Sequence, residues 1–577
     1  MSDPGSISIR DAFAGRQVLL TGASGFVGKV WLAMMLDRAP EIGRIHVLLR
    51  SKSLLSARDR FEKIVNTSPV FGPLHERMGA RLSQYIADKV EVLEGELGAS
   101  DLLLDVDARR RLQRQLDLVV HCAGLVDFNP DLRKALASNV DGTLHVADFV
   151  EGCDHAALLH ISTCYVAGKR HGQIEERTLP EYAPIGGDFD AEHELREARA
   201  AAARICAQHE SREHAAKTRA EIEALVRKRR SGDRAKLITT LTNRRLREEL
   251  KQALVDEGMQ RARRLGWPNT YTYTKSLAES LLLRRGKRVR LSMLRPSIVE
   301  SAVEYPFPGW NESFNGSAPL AYVMGSWFRM IPAKPDAPFD VIPVDMVCKA
   351  MSIAGAALLR DRYAPVYHIG TSDRHRCSVG RAAELIVLAH RRHYRQSGQS
   401  TGERVLKSRW DSVLVEPDDT FSVQRNRAVV GGAREAIELL PDKVQAKLRR
   451  LSERLDRADK KLEQIEAMIE LYLPFMYESF HVFECRAIGR TPAREPEFRF
   501  EPEVIDWRRY WIDVHIPGLR RWAFPLIEGR KPERYRPRYP VRFAPDVVST
   551  AEVGCGAPAD LPSEALHVAA HPGVSEA

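Results

Sequence analysis

The stretch LLTGASGFVGK, residues 19–29, places glycines at positions 22, 25 and 28 between an apolar run and a helical pattern. In a strand–turn–helix context the first glycine permits a tight turn, the second lets the backbone approach a pyrophosphate, and the third lets helix and strand pack closely. The helix N-terminus adds unpaired N–H groups and a partial positive charge. The stretch therefore favours a dinucleotide-binding turn over a merely structural one. Its predicted cofactor-binding residues are Thr21, Gly22, Ser24, Gly25, Phe26, Val27 and Gly28.

Around this turn, short apolar runs alternate with helical segments. The predicted strands are RQVLLTG, IHVLLR, VEVLEGEL, LVVHCAG, ALLHIST and, from Val289, VRLSMLRP. Helices are expected between them, for example over 29–38 and 139–150, and one more helix and a last strand are expected over 339–371. This alternation indicates a parallel sheet with helices on both faces. The predicted fold class is therefore α/β, a Rossmann-like doubly wound sheet.

The end of the second predicted strand indicates which dinucleotide binds. An acidic residue there would hydrogen-bond the ribose 2′-hydroxyl of NAD, but this chain reads LLRSKS, with Arg50 and then Lys52. A guanidinium can hold a 2′-phosphate through two hydrogen bonds. Arg60, on the following predicted helix, can add to the same pocket. The sequence therefore predicts NADPH rather than NADH.

The segment GWPNTYTYTKSLAESLL, residues 266–282, holds two tyrosines and one lysine. Tyr271 and Lys275 share a face of a helix because they are four residues apart, whereas Tyr273 points elsewhere and is expected to pack. A neighbouring ammonium favours the phenolate and is expected to lower the pKa of Tyr271, which makes proton transfer to a substrate oxygen feasible near neutral pH. The spacing predicts Tyr271 and Lys275 as a catalytic pair, with the lysine also holding the nicotinamide ribose.

Hydroxyl side chains follow the fifth predicted strand, in HISTCYVAG. Strand ends of an open α/β sheet face the ligand crevice. Thr163 is therefore predicted as the third catalytic group, which polarises the same substrate oxygen, with Ser162 as the second choice. Cys164 is adjacent, but no flanking feature indicates a thiolate, so it is expected to be a small buried residue.

The whole chain has 577 residues, a net charge of +10 and eight cysteines. No segment resembles a signal peptide, and no apolar run is long enough for a membrane span. The cysteines form no C-x-x-C pair and show no metal-ligand spacing, so neither a disulfide framework nor a metal site is predicted. We expect a cytoplasmic protein, at most attached to a membrane surface. The excess of basic over acidic residues is compatible with a phosphorylated ligand or an anionic lipid, and no nucleic-acid partner is predicted.

Composition divides the chain into regions. Residues 1–372 are predicted to form the dinucleotide-binding domain. Within it, residues 187–266 carry nineteen Lys and Arg against fourteen Asp and Glu, and are expected to form a charged helical insertion, either a solvated hairpin or a mobile cover over the site. Residues 373–545 are predicted to form a smaller, mainly helical domain. The segment 546–577 is rich in Ala, Pro, Gly and Ser, which predicts disorder.

Taken together, these motifs resemble a known superfamily. The sequence resembles members of the extended short-chain dehydrogenase/reductase superfamily. The motifs that carry this resemblance are the glycine triplet, HCAGLVDF, NVDGT, HISTCYV, the tyrosine–lysine pair and LRPSIV. Within it, the sequence most resembles bacterial fatty acyl-CoA reductases of the male-sterility type. The segments that carry this resemblance are GRIHVLLRSKS, STCYVAGKRHGQIEE, GWPNTYTYTKSLAE, RPSIVESAVEYPFPGWNE and DVIPVDMV. These segments cover most of residues 14–372, and LYLPFMYESFHVFEC is similar to the helical C-terminal domain of that family.

The resemblance implies an activity: NADPH-dependent reduction of a long-chain acyl thioester to the aldehyde, and commonly on to the primary alcohol. It implies catalytic roles for Thr163, Tyr271 and Lys275, and a place for Arg50 and Arg60 at the 2′-phosphate. A departure is Glu96, which stands where relatives often have an aspartate near the adenine. Further cofactor positions implied by the resemblance are Leu97, Ala123, Gly124, Pro296, Ser297 and Val299.

The expected partner is a fatty acyl-CoA or an acyl carrier protein thioester, and the sequence does not indicate an oligomeric state. The apolar segment 319–331 and the C-terminal helices are candidate walls for the acyl chain. Three alternatives stay open. They are a thioester reductase that stops at the aldehyde, an enzyme of the same fold that acts on sugar nucleotides or hydroxysteroids, and a cofactor-sensing scaffold. PFPGW and the C-terminal domain disfavour the second alternative, and the intact catalytic set disfavours the third.

Overall fold

A computed structural model describes residues 5–52, 54–226, 234–312, 316–326, 330–396, 413–417, 423–440 and 442–543. The segment 546–577, for which the sequence predicts disorder, lies outside these residues. None of the described helices is both long and apolar enough to cross a membrane.

The strands of the described residues are, in chain order, β1 (Gln17–Thr21), β2 (Arg44–Leu49), β3 (Val90–Glu94), β4 (Leu118–His121), β5 (Ala157–Ile161), β6 (His171–Ile174), β7 (Arg290–Pro296), β8 (Ile298–Glu300), β9 (Met330–Pro332), β10 (Val341–Pro343), β11 (Val366–Ile369), β12 (Val413–Val415) and β13 (Phe480–Phe483).

Seven of these strands form the central sheet. Their order is β3–β2–β1–β4–β5–β7–β11, and all neighbours are parallel. The chain runs outward in one direction from β1 to β3 and in the other from β4 to β11, so the strand order reverses between β1 and β4. Ligands of open α/β sheets bind at such a reversal, beyond the carboxyl ends of the strands. The predicted doubly wound parallel sheet is confirmed.

The α-helices are, in chain order, α1 (Ile9–Phe13), α2 (Phe26–Arg38), α3 (Ala57–Thr67), α4 (Gly72–Met78), α5 (Leu82–Lys89), α6 (Val106–Gln115), α7 (Leu132–Ala135), α8 (Gly142–Glu151), α9 (Ala191–His209), α10 (Arg212–Val226), α11 (Arg234–Arg264), α12 (Thr270–Arg284), α13 (Ala318–Met324), α14 (Val344–Leu359), α15 (Val379–Gln396), α16 (Val423–Glu438), α17 (Asp442–Leu473), α18 (Trp507–Arg509), α19 (Ile516–Trp522) and α20 (Phe524–Ile527). A π-helical segment, Leu136–Asp141, joins α7 to α8.

Helices cover both faces of the sheet, which explains why its strands are continuous apolar runs. On β1, the side chains of Val18, Leu19 and Leu20 are all inaccessible to solvent. Helices α2 and α14 pack together on one face, where the Trp31 indole donates a hydrogen bond to Ser352 Oγ at 3.2 Å. A second apolar cluster, which includes residues of α6 and α8, covers the other face. Strands buried on both faces are typical of parallel sheets.

The charged insertion consists of the helices α9, α10 and α11, and its inner part is not solvated. Leu195 on α9 and Leu254 and Ala262 on α11 are buried against α12 and its neighbours. Within the insertion, the Arg261 guanidinium forms an ion pair with Glu194 at 2.9 Å, and both side chains are buried. The expected solvated hairpin therefore describes only the outer part. The inner ends form part of the wall behind the helix that carries the tyrosines.

The C-terminal region packs directly on the sheet domain. Strand β13 pairs in parallel with β6, and apolar residues of α17, such as Ile465 and Ile469, belong to the same buried cluster as β1 and α2. The chain then returns to the first helices, where Asn66 on α3 exchanges two hydrogen bonds with the backbone of Val541, at 2.8 and 2.7 Å. This packing brings C-terminal side chains to the carboxyl edge of the central sheet.

Candidate active site

The glycine-rich turn lies at the carboxyl end of β1, next to the reversal in strand order. Gly22 has φ +79°, and a β-carbon there would lie 2.6 Å from Ala123 N in the loop after β4. A β-carbon on Gly28 would lie 2.4 Å from Gly22 O. Only glycine is compatible with both close approaches, because the neighbouring atoms are backbone and cannot move aside. The result is an open helix N-terminus, with Gly25 as the N-cap residue of α2.

Thr21 links this turn to β4. Its hydroxyl pairs with His121 Nδ1 at 2.8 Å and accepts a hydrogen bond from Ala123 N at 3.3 Å. Phe26 stacks on Trp310, with ring centroids 5.2 Å apart. Ser24 lines a cleft of about 570 Å³ that continues past Lys52 and Arg60. Ser24 of the turn, Lys52 and Arg60 are therefore open to one cleft.

Lys275 reaches the end of β5 from helix α12. Its ammonium donates to Ile161 O at 2.9 Å, and a β-carbon on Gly124 would lie 3.2 Å from Lys275 Nζ. Asn139 lies beside the same glycine, because its Oδ1 would be 3.1 Å from that β-carbon. The absence of a side chain at Gly124 thus keeps space open next to the ammonium. Burial lowers the pKa of Lys275 to about 8, so the ammonium still predominates at neutral pH.

Tyr271 precedes Lys275 by one turn of α12, as the spacing predicted. Its hydroxyl is hydrogen-bonded to Thr163, which follows β5 and is itself buried. The Thr163 hydroxyl also donates to Pro296 O at 3.4 Å and accepts from Tyr165 N at 3.3 Å. The structure therefore brings Thr163, Tyr271 and Lys275 together at the carboxyl ends of β5 and β7.

One expectation about Tyr271 is wrong in sign. The sequence predicted that the neighbouring ammonium would lower the pKa of the phenol. In the structure, burial raises the pKa of Tyr271 above its ordinary value, and the hydrogen bond with Thr163 offsets this only in part. The reason is desolvation: Tyr271 lines a cavity with mainly aromatic walls, while the Lys275 ammonium binds Ile161 O. At neutral pH Tyr271 is a neutral hydrogen-bond donor.

The two residues next to Thr163, Ser162 and Cys164, make different contacts from those of Thr163. Ser162 Oγ is buried and makes no hydrogen bond within the described part of the chain. Cys164 is also buried, its thiol contacts Arg295 O at 2.9 Å, and burial raises its pKa well above the ordinary value. Cys164 is therefore an unreactive packing residue, as expected.

Tyr273, two positions further along α12, faces the other side of the helix. Its hydroxyl donates to Glu194 Oε1 at 2.7 Å, and the ring is fully buried. The same Glu194 oxygen accepts from Arg261 Nη1 at 2.9 Å. Tyr273 thus joins the insertion to α12.

Two arginines gather at the end of β2. Arg60 on α3 donates to the backbone carbonyl of Arg50, and Arg50 Nη1 lies 3.8 Å from Glu96 Oε1. Burial lowers the pKa of Arg60, and the adjacent positive charge of Arg50 lowers it further. Two cations held this close would be stabilised by an anion between them. Lys52 and Arg60 line the same cleft, and Arg50 lies next to Arg60.

The other predicted cofactor positions also lie at this edge of the sheet. Leu97 follows β3, and its carbonyl accepts from His145 Nδ1 at 2.8 Å. Ser297 N donates to Ile369 O at 2.9 Å, which holds the segment between β7 and β8 against β11. Val299 lies on β8. The glycine turn and the open space beside Gly124 together fit a dinucleotide.

A small apolar cavity of about 40 Å³ lies against Tyr271. Its walls are mainly aromatic and come from both parts of the chain. They are Phe128, Tyr165, Tyr271, Thr272, Ile298, Gly316, Ser317, Phe339, Tyr472, Phe475 and Met476. The C-terminal region therefore contributes to the cavity as expected. The other candidate wall, segment 319–331, contributes none of the described lining residues. Its helix α13 packs in the core instead.

Sequence reasoning missed two groups of residues. Asn139 Oδ1 accepts a hydrogen bond from Leu125 N at 2.7 Å. Its Nδ2 donates to Leu125 O and to Thr274 Oγ1, both at 3.0 Å, so Asn139 holds the loop after β4 against α12. The motif NVDGT contained this residue and could have indicated it. The second group, Glu300, Ser317 and His515, had no recognisable signal, because its members are far apart in the sequence.

The chain is similar to several known proteins. A family model described as male sterility protein matches residues 20–351. The alcohol-forming fatty acyl-CoA reductase of Simmondsia chinensis is 26% identical over 543 residues, which are 89% of this chain and 98% of that protein. Fatty acyl-CoA reductase 1 of Arabidopsis thaliana is 26% identical over 524 residues, 87% of this chain and 96% of that protein. Among solved structures, the terminal R domain of the myxalamid PKS-NRPS pathway has a TM-score of 0.49 at 16% identity, covering 88% of this chain and 91% of that chain.

Proposed function

This chain belongs to the male sterility protein family, and we propose that it is an NADPH-dependent reductase that converts long-chain fatty acyl-CoA through the aldehyde to the primary alcohol. The curated relatives that support this activity match nearly their whole length, and one of them is described as alcohol-forming. The observation that carries the proposal is the hydrogen-bonded pair of Thr163 and Tyr271, set between an apolar cavity and the space beside Lys275.

The residues of the site suit the stabilisation of a developing oxyanion. A bound nicotinamide dinucleotide supplies a hydride to the carbonyl carbon. The hydroxyls of Thr163 and Tyr271 can donate hydrogen bonds to the carbonyl oxygen as its charge grows, which is usually the largest catalytic contribution. Because burial keeps Tyr271 protonated, it begins each step as a donor. No covalent acyl-enzyme is required.

The same groups serve the second reduction. After the tetrahedral intermediate loses its thiolate, the aldehyde carbonyl occupies the position of the thioester carbonyl. Tyr271 then transfers its proton to the alkoxide, and the nearby ammonium of Lys275 stabilises the phenolate that remains. Among the described residues, that ammonium makes one hydrogen bond, to Ile161 O. A bound ribose can therefore accept from it as well.

Preference for NADPH is proposed from the cations at the end of β2. Arg50, Lys52 and Arg60 gather at the end of β2, and in the sequence no carboxylate follows β2 directly. Glu96 lies 3.8 Å from Arg50 and would lose that contact to a phosphate. A phosphate can accept charge-assisted hydrogen bonds from both guanidiniums, whereas a ribose hydroxyl cannot neutralise them.

The cavity favours an acyl substrate over a sugar. Beside a few hydroxyl-bearing side chains such as Ser317, its walls contain Phe128, Phe339 and Phe475, which offer no hydrogen bonds to the many hydroxyl groups of a sugar. The cavity is far smaller than a long acyl chain, so such a chain must displace side chains of its wall. Phe475 follows directly after α17 and is only partly buried, which makes it the side chain expected to move.

The proposal is tested by incubating the full chain with palmitoyl-CoA and either NADPH or NADH. Cofactor oxidation, thiol release and the products are then measured. We expect NADPH oxidation, release of CoA thiol and formation of hexadecanol. Hexadecanal as the final product would support the aldehyde-stopping alternative. Turnover of a sugar nucleotide without turnover of the thioester would reject the proposal.

A further inference from the structure

A cluster of polar residues lies buried behind the wall of the cavity. Glu300 ends β8, Ser301 follows it, Ser317 is the N-cap residue of α13, and His515 ends a π-helical segment of the C-terminal region. Asn311 completes the cluster, and all five residues are at most 2% exposed. Ser317 also lines the cavity that contains Tyr271. We call these five residues the buried relay.

The hydrogen bonds of the buried relay have a direction. Asn311 Nδ2 donates to Ser301 Oγ at 3.0 Å, so the Ser301 hydroxyl can donate onward to His515 Nδ1, 2.7 Å away. With its Nδ1 accepting, the neutral imidazole carries its proton on Nε2. That N–H then donates to Ser317 Oγ at 2.9 Å. Burial keeps the imidazole neutral, because it lowers the pKa of His515 to about 3. The Ser317 hydroxyl proton is therefore left for another acceptor.

A carboxyl group lies next to the same serine. Glu300 Oε1 accepts from the backbone N–H of Ser317, and Glu300 Oε2 lies 3.5 Å from Asn311 Nδ2. Burial raises the pKa of Glu300 to about 7, although hydrogen bonds from Ser317 and Asn311 oppose the shift. His515 Nε2 is 3.7 Å from the carboxylate, and the phenols of Tyr472 and Tyr510 are the other titratable groups near it. Near neutral pH, Glu300 can hold a proton beside Ser317.

The thioester half of the proposed reaction creates a need for such a proton. Thr163 and Tyr271 act on the carbonyl oxygen. When the C–S bond breaks, its electron pair goes to sulfur, and an unpaired thiolate in an apolar cavity is costly. Reduction of the aldehyde has no leaving group and creates no such anion. A donor on the cavity wall would therefore act in the first half of the reaction alone.

We propose that Ser317 is a further catalytic residue, which protonates the leaving thiolate while the buried relay positions it. In this step the C–S bond breaks, the Ser317 hydroxyl proton moves to sulfur, and the Glu300 carboxyl proton moves to Ser317 Oγ. Glu300 is left as a carboxylate that the Ser317 N–H and Asn311 stabilise, and it regains a proton from solvent between turnovers. The inference rests on the proposed function, because it requires a thioester substrate.

The test compares three substrates in the full-length Ser317→Ala variant: palmitoyl-CoA, an S-phenyl palmitoyl thioester and hexadecanal. Positioned general acids contribute about 10²- to 10⁴-fold, so kcat for palmitoyl-CoA should fall by about 10²-fold. The loss should be much smaller for the phenyl thioester, because an aryl thiolate leaves without a proton. Hexadecanal reduction should be unchanged. Equal losses on all three substrates, or no loss on palmitoyl-CoA, would overturn the inference.

Two controls separate catalysis from structure. Ser352→Ala removes another buried serine, whose hydroxyl accepts from Trp31, and should leave all three activities unchanged. Glu300→Gln keeps the shape of the carboxyl group but not its acidity, and should reproduce the pattern of Ser317→Ala with a smaller loss. The affinity for NADPH, measured from the quenching of protein fluorescence, should match that of the wild type in each variant. An altered affinity in Ser317→Ala would contradict a role at the sulfur. A wild-type protein that reduces hexadecanal but no thioester would reject the proposed function itself.

Discussion

Replacing each of the two neighbouring tyrosines by phenylalanine should separate catalysis from stability. Tyr271→Phe removes the hydroxyl that is hydrogen-bonded to Thr163 at the cavity, and Tyr273→Phe removes the hydroxyl that is bonded to Glu194. The two substitutions delete the same atom from the same helix two positions apart. Each variant is therefore the matched control of the other.

The size of each effect follows from the surroundings of the hydroxyl. Loss of one oxyanion donor costs about 10³-fold in kcat, or about 4 kcal/mol of transition-state stabilisation, so Tyr271→Phe should be nearly inactive. Its stability should change little, because the Thr163 hydroxyl keeps Pro296 O as an acceptor. Tyr273→Phe loses a hydrogen bond to a buried carboxylate, which is worth roughly 1.5–3 kcal/mol. Because Glu194 keeps its bond to Arg261, we expect a loss of about 2 kcal/mol, near the low end of that range.

The assay combines NADPH oxidation with palmitoyl-CoA and urea denaturation followed by circular dichroism. Tyr271→Phe should lose activity and keep its denaturation midpoint, and Tyr273→Phe should show the reverse. An active Tyr271→Phe variant would refute the assignment of the proton donor. Equal losses of activity in both variants would show that α12 acts only as a structural support.

Three further predictions concern other parts of the molecule. Arg60→Ala should raise the KM for NADPH by about 10- to 100-fold, which is equivalent to the loss of one charge-assisted hydrogen bond, and should leave the KM for NADH unchanged. Equal effects on both cofactors in steady-state assays would contradict a phosphate site. Gly28→Ala should destabilise the folded protein by roughly 1–3 kcal/mol in thermal denaturation, because the new β-carbon would lie 2.4 Å from Gly22 O. Gly431→Ala is the control: its β-carbon would meet no atom within 4 Å, so the substitution should be neutral or stabilising. Glu300→Gln should gain roughly 2–3 kcal/mol of stability relative to the wild type between pH 5 and pH 8. The stability contributed by a carboxyl with a raised pKa is full below its unfolded value and is lost as the pH rises through about 7. A difference between Glu300→Gln and wild type that does not vary with pH would contradict that account.

Local sequence patterns were sufficient for much of this molecule. The glycine turn, the strand runs and the spacing of Tyr271 and Lys275 depend on neighbours within a few residues, and each lies where the pattern predicted. Thr163 could also be predicted, because the carboxyl ends of parallel strands meet at one edge of the sheet. Cys164 was correctly expected to pack, since nothing next to it could stabilise a thiolate.

Properties that depend on distant parts of the chain could not be predicted in this way. The pKa of Tyr271 rises through desolvation, and the cavity that Tyr271 lines takes its walls from distant segments, including Phe475, which no local rule contains. The inner part of the charged insertion is buried because Glu194 meets both Arg261 and Tyr273 across three helices.

The sequence by itself therefore determined the sheet, the dinucleotide turn and the helix that aligns a phenol with an ammonium, because periodicity and turn geometry are local properties. Only the tertiary structure decided how the C-terminal region closes over that helix, and how His515 reaches Ser317 at 2.9 Å from a position 198 residues away. Desolvation and long-range hydrogen bonds arise from packing between segments, so they exist only once the chain has folded.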